Sequence, residues 1–540
     1  MNSSIARRLP VALCVVTTAA WSLCAARPVG AQQAASVAEV PPPVRAGGEG
    51  ASSDEGASSA EEVSARAVRL PAQLTLWDAF VLALRANKDI RIAYLASDQS
   101  ESRIMRARGE FDVTVFAEAS RGRTNVPVAG VPLGRSDTAV SSMTAGLRQR
   151  IVTGTNVELS ASNDYSRDLT GASALNPTYA PELGLSVRQD LLKDFGIDIN
   201  RTDIVVAQNN YEISRQALRD TIIQDLFQVE SAYWGLYFAV ADLKVREQQL
   251  DRAQKLVDRA EAQVGVGEAA PIEITRARSS AASQETAIIN ARNRITKLRH
   301  SLLQLMGILD VDAARLDFEL ADAPPEELFQ TTLDRASQTA REHRPDCRQA
   351  ELGVDNADLQ KRFARNQRLP TLQLFGEYRM AGLGDDLSGG LDEIEGGRFN
   401  SWEAGLLFEW PIPNRVARSD YRAATLERRI AMLRLEDVLE RATRDVADAL
   451  DDLRTAEGRI TTAQEARELA DELLSAEEKS FNLGRSNSLD VLTAQAALAQ
   501  AERDEIQART DYATALANLL RTQGNFLEEK GVALLDYRPE

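Results

Sequence analysis

From Ile274 to Leu305 the chain repeats one spacing without a break. Ile274, Ala277, Ala281, Gln284, Ile288, Ala291, Ile295, Leu298, Leu302 and Leu305 stand alternately three and four residues apart. That places one narrow stripe along a helix, the seam of a coiled coil. Leu250, Ala253, Val257, Ala260 and Val264 carry the spacing just upstream, and Leu469, Leu473, Ala476, Ser480 and Leu483 carry it again later. The pattern predicts long antiparallel helical hairpins, with alanine-rich seams that let helix axes approach closely. No proline interrupts Arg201 to Val264, so at 1.5 Å per residue the first incoming helix reaches about 95 Å. An ordinary globular domain is shorter than that.

Elsewhere the period changes to two. Phe111, Val113, Val115 and Ala117 share a face, as do Ala404, Leu406, Phe408 and Trp410; Leu372, Leu374, Gly376 and Tyr378 stand opposite Thr371, Gln373, Phe375 and Glu377. Short strands follow. An aromatic near the strand end fits a lipid-facing barrel strand, yet a soluble sheet with one buried face carries the same alternation. After residue 31 no run of 18 apolar residues occurs, so no helix is expected to span a membrane.

The pattern occurs twice. Leu74 to Thr114 matches Thr331 to Thr371 without a gap at an offset of 257, with Thr75/Thr332, Ala79/Ala336, Ala83/Ala340, Asp89/Asp346 and Arg91/Arg348 among the identities. Gly267 to Gly307 matches Gly484 to Gly524 at an offset of 217, and Gly184/Gly405, at 221, marks a strand between them. The drop from 257 to 221 means that copy 1 holds 36 more residues in its strand region, between Arg123 and Leu183. Ala145, Leu147, Gln149 and Ile151, then Thr153 and Gly154, then Val157, Leu159 and Ala161 read as one added hairpin.

At the amino terminus Arg7 and Arg8 precede an apolar run, Val11 to Ala26, followed by Val29, Gly30 and Ala31. This predicts a secretory signal peptide over 1–31. Its removal takes three arginines and no acids from a net charge of −17, leaving −20, and it takes Cys14 and Cys24, leaving Cys347 alone. An exported protein of this kind folds without an internal disulfide. Neither lost cysteine follows the small-residue pair that a lipoprotein signal needs, so no lipid anchor is expected. Residues 32–70, rich in Ala, Ser, Glu, Gly and Pro, bury too little apolar surface to offset their ordering entropy and read as a disordered tether.

Composition then removes alternatives. An acidic surface repels phosphate backbones, so no nucleic-acid partner is expected. With only His300 and His343 and three cysteines there is little material for a zinc cluster or a Ser/His/Asp site. Gly265 to Gly267 is no phosphate loop, because no strand precedes it and no Lys follows in register. No catalytic constellation, cofactor or metal is expected, and the chain reads as a non-enzyme. Four to six strands cannot close a membrane barrel alone, since the smallest have about eight and an open edge in lipid leaves backbone groups unpaired. Chains must share one barrel: three four-stranded protomers make twelve strands, three six-stranded ones eighteen.

The segment LTLWDAFVLALRANKDI, its counterpart REHRPD with QRLPTLQL, and the strand-to-helix passage VRQDLL resemble the TolC-like outer-membrane efflux family (outer membrane factors) over residues 71 to about 526. The resemblance implies a mostly α protein with β. Long helical hairpins form a periplasmic tunnel, and short strands enter a shared trimeric transmembrane β-barrel in outer-membrane lipid. It implies a homotrimer that docks on a periplasmic membrane-fusion (adaptor) protein and an inner-membrane pump of RND or ABC type, as the export duct of a tripartite efflux or type I secretion system. On this reading repeat 1 spans 71–307, an equatorial connector 308–330, repeat 2 331–526 and a carboxyl-terminal tail 527–540. Asp190 and Val113 depart from prolines of the family pattern. The competing reading is a periplasmic coiled-coil scaffold or adhesin outside lipid.

By resemblance the two helix turns, Gly265 to Ile274 and Phe481 to Val491, are the periplasmic tips that meet the adaptor. Gly267 and Gly484 suit a positive φ at the helix end, and Pro271 suits the start of the next helix. Glu273 and Asp490 fall in the first turn, where the helix dipole alone favours a carboxylate. Asp490 also matches the family's entrance aspartate, so three copies of Asp490 and Glu273 would ring one constriction and favour cations. The family's second entrance carboxylate falls on Thr493. Phe481 matches an aromatic, and Ser486 an arginine, of the family's closing contacts. With serine there, that lock is expected to be absent or replaced by Arg485.

Overall fold

A computed structural model describes residues 71–127, 134–170, 173–267, 270–310, 312–313, 317–483 and 485–533. The expected signal peptide, the tether, Gly484 and the end of the tail lie outside them. Six strands form one antiparallel sheet: β1 (Thr114–Pro127), β2 (Arg135–Arg150), β3 (Thr155–Asp168), β4 (Thr178–Asp190), β5 (Thr371–Ala381) and β6 (Phe399–Glu409). They lie in chain order, β1 and β6 at the free edges.

Register explains the alternation. Val115 stands opposite Leu147, Leu147 opposite Leu159, Leu159 opposite Leu185, Leu185 opposite Tyr378, and Tyr378 opposite Trp402. One apolar row thus crosses all six strands, and every member is exposed in the single chain. The row of the other face runs Thr114, Arg148, Glu158, Ser186, Glu377, Glu403. A sheet with an uncovered apolar face and a polar back is a membrane-barrel segment with lipid on one side and water on the other. The strands are longer than the sequence pattern suggested. Phe111 and Val113 are corrected: Phe111 ends a 3₁₀ turn, and β1 starts at Thr114. Ile151 likewise opens the β2–β3 turn, where Gly154 has φ 90°.

Nine helices of nine residues or more accompany the sheet among the described residues: α1 (Leu76–Ala86), α2 (Lys88–Arg108), α3 (Thr202–Gly265), α4 (Ile272–Leu305), α5 (Leu333–His343), α6 (Pro345–Asn366), α7 (Leu387–Glu395, between β5 and β6), α8 (Arg415–Asn482) and α9 (Ser488–Gln523). At 64 and 68 residues α3 and α8 are the long incoming helices. No described helix is long and apolar enough to cross a membrane. Toward the tips the helices adjoin in the order α4, α3, α9, α8, and toward the sheet in the order α2, α3, α6, α8. Each chain is therefore a wall four helices wide with free edges.

All ten positions of the α4 stripe are buried or half-buried. The second hairpin is corrected: Leu469, Leu473 and Leu483 are 66%, 48% and 70% exposed, and α8 meets α9 through Leu474 and Phe481. A wall helix has neighbours on both sides, so α8 carries two stripes one position apart, and the leucine-rich one faces away from its own chain.

The repeat glycines show why the copies match. Gly307 and Gly524 both end helices with φ 75°, and a Cβ there would lie 2.3 Å from the Ala86 carbonyl oxygen and 2.8 Å from the Arg344 Cα. Each lets a return helix press against the break between two helices of the same repeat. Around these joints lies the main core, with Phe80, Ile222, Leu226, Tyr233, Leu302 and Phe526. Tyr233 donates to the Leu74 carbonyl at 3.0 Å, beside the parallel pairing of Gln73–Leu74 with Glu319–Leu320. Phe329 N–H donates to the Tyr512 hydroxyl at 2.8 Å.

Candidate functional site at the hairpin tips

The first tip turns on Gly267, with φ 82° and its N–H donated to the Val264 carbonyl at 3.1 Å. Among the described residues nothing lies within 4 Å of where a Cβ would stand, so the demand for glycine there is conformational, not spatial. Pro271, at φ −54°, immediately precedes α4, where the fixed ring angle suits helix entry. Glu273 follows in the first turn. One of its oxygens accepts from Arg276 at 2.7 Å and the other from the Ser488 hydroxyl of the second tip. This carboxylate is thus partly neutralised and joins the two hairpins.

The second tip is built on a cap. Asn487 Oδ1 accepts from the Leu489 and Asp490 amides at 2.9 and 3.1 Å, and Asp490 reaches back toward the Asn487 amide at 3.5 Å. This is the reciprocal capping box of a helix start. The Ser486 hydroxyl donates to Glu477 at 2.7 Å and lies 3.3 Å from Asp490. Asp490, Arg485 and Thr493 are exposed. Thr493 donates to the Leu489 carbonyl at 2.8 Å, and the Arg485 amide donates to the Ser480 carbonyl at 2.9 Å. Phe481 is 8% exposed, packed with Leu256, Ala277, Leu474 and Val491. Between the tips opens a recess of about 530 Å³ that includes Glu273, Phe481, Ser486 and Ser488.

Of the residues singled out in the sequence, Glu273, Phe481, Ser486 and Asp490 come together here, while Pro271, Arg485 and Thr493 stand around them. Ser488, Glu477 and Asn487 were not anticipated. The Asn487-x-x-Asp490 spacing is a readable capping signal; the Glu273–Ser488 contact spans 215 residues and has none.

No group of three His, Cys, Asp or Glu that could hold a metal occurs among the described residues. Burial pushes the Cys347 thiol up to about 11, which keeps it protonated and unreactive. In the equatorial core, burial first and the Asp89 charge second push Asp225 up to about 6.

A profile of the family described as outer membrane efflux protein matches residues 156–308 and 336–525. Outer membrane efflux protein BepC of Brucella suis is 22% identical over 386 residues, covering 71% of this chain and 80% of its own. The toluene efflux pump outer membrane protein TtgC of Pseudomonas putida is 24% identical over 403 residues, covering 73% and 77%. The solved structure of the outer membrane protein VceC of Vibrio cholerae superposes with a TM-score of 0.61 at 18% identity, over 84% of this chain and 96% of that one. That likeness is one of fold.

Proposed function

The chain belongs to the outer membrane efflux protein family and resides in the outer membrane with its helical part in the periplasm, and from that premise we propose that it is a passive export duct assembled from three chains. One observation carries the reading: both the sheet and the helical wall end in edges that one chain cannot seal. β1 and β6 each leave a row of backbone donors and acceptors unpaired, which hydrocarbon does not tolerate. The exposed stripe of Leu469 and Leu473 lies on α8, one free edge of the wall, with Leu483 just past its end, and Ile289, 68% exposed, lies on α4, the other. A ring of copies brings these edges together, and a closed ring of three would enclose a water-filled axis.

The tips then form the entrance and meet a periplasmic adaptor, with an inner-membrane pump supplying the driving force. Exposed Asp490 supplies the charge of the entrance ring, and Glu273, already held by Arg276 and Ser488, contributes less. Arg485, exposed and adjacent to Ser486, is the cation that would take the place of the missing lock. Membrane fractionation with heat-dependent gel migration tests the assembly. A trimer in the outer-membrane fraction that dissociates on heating is expected; a soluble monomer refutes the duct.

A further inference from the structure

We propose that the assembled barrel has eighteen strands, all six of each chain lying in the membrane, so that the outer mouth is as wide as the helical tunnel below it. The inference rests on the three-chain duct proposed above and asks how the extra hairpin β2–β3 is used.

The hairpin is inserted within the ladder, not appended beside it. β2 pairs with β1 from Thr114↔Arg148 to Pro127↔Arg135, and β3 pairs with β4 from Thr155↔Gln189 to Ser166↔Thr178. A barrel without this hairpin would have to break both ladders and rejoin β1 to β4. The inserted strands also keep the polarity of the sheet. Leu147 and Leu159 continue the apolar row, while Ser142, Thr144, Ser160 and Ser162 fall on the polar face. A loop packed outside the barrel or plugging it would not need lipid-facing leucines in register with their neighbours.

Closure and width agree. With six antiparallel strands the free edges β1 and β6 run in opposite directions, so β6 of one chain can pair antiparallel with β1 of the next. Strands about 4.8 Å apart and tilted about 40° close into a ring about 36 Å across for eighteen and about 24 Å for twelve. Twelve tunnel helices about 10 Å apart form a ring about 38 Å across. Eighteen strands therefore continue the tunnel at nearly its own width. The small hydroxyl side chains of the inserted strands leave that lumen open, so the mouth passes bulky solutes and selection falls to the tips.

Electron cryomicroscopy of the full chain in lipid nanodiscs decides. Eighteen strands in a ring about one and a half times as wide as a twelve-stranded one are expected. A trimer with twelve strands and the β2–β3 hairpin outside the ring overturns this inference while leaving the duct intact; particles without a trimeric ring overturn the duct itself. As a second arm, replacing residues 128–177 by a short turn should shrink the barrel by about a third and exclude smaller polyethylene glycols from the outer side. A variant that folds with unchanged diameter and polymer cut-off contradicts the proposal. Failure of that variant to fold leaves the strand count of the full chain to decide.

Discussion

The two equatorial joints are one contact built twice with different electrostatics. In copy 1 Gly307 presses on Ala86 and Asn87, and the Asn87 amide donates to the Leu305 carbonyl at 2.9 Å. In copy 2 Gly524 presses on His343 and Arg344, and Arg344 donates to the Thr522 carbonyl at 3.3 Å. The buried positions of α3 and α8 superpose at an offset of 220, Ile222 on Ala442, Leu226 on Val446, Tyr233 on Leu453, which puts Asp225 on Asp445. Asp445 pairs with Arg344 at 3.3 Å. Asp225 instead feels the charge of Asp89, and its Oδ2 is buried with no hydrogen-bond partner among the described residues. Backbone contact at the glycines fixes the joint, and the charges around it have been free to diverge.

One methyl group added at each joint tests whether backbone contact or charge holds it. Gly307→Ala and Gly524→Ala meet both a left-handed backbone and backbone atoms inside contact distance, and each should destabilise by about 2–4 kcal/mol. Gly267→Ala has the same sign of φ with open space around it and should cost only about 1 kcal/mol. Thermal unfolding of the purified variants checks the order; equal losses at all three sites would show that φ alone, not the joint, demands glycine.

The tips offer a second contrast. Asp490→Ala should lower cation selectivity and multivalent-cation block in bilayer recordings several-fold more than Glu273→Ala, because Glu273 is held by Arg276 and Ser488. Equal effects would mean that both carboxylates face the pore alike.

Asp225 gives a smaller, pH-dependent effect. Its folded pKa of about 6 lies above the ordinary aspartate value of 3.8, so this group favours the folded state at low pH, and that contribution is lost as pH rises through about 6. Asp225→Asn should therefore melt above the parent at pH 8, with the gap closing by pH 4. A constant gap would assign the effect to packing. Smallest is Asn487→Ala, which removes one cap worth about 1 kcal/mol. Amide exchange should rise at the start of α9 and, to a smaller extent, at the start of α4, which Glu273 ties to Ser488; a rise at α9 alone would show that this contact does not couple the tips.

Much of this was legible in the sequence. The α4 seam, the length of α3 and the added hairpin follow from local spacing, and spacing survives folding. The second seam did not, because Leu469/Leu473 and Ala470/Leu474 are both plausible stripes on one helix. Which one faces α9 depends on a wall in which every helix has two neighbours. At the site, Gly267, Pro271 and the placement of Glu273 and Asp490 in their first turns were readable from helix-end chemistry. Glu273–Ser488 and Asp225 without its cation were not, since each joins positions far apart in the chain.

The most direct test is the mass and shape of the purified full chain in lipid nanodiscs. Particles of three chains around a single central hole that runs from the helical tips through the barrel are expected. Monodisperse single chains with no hole would contradict the duct.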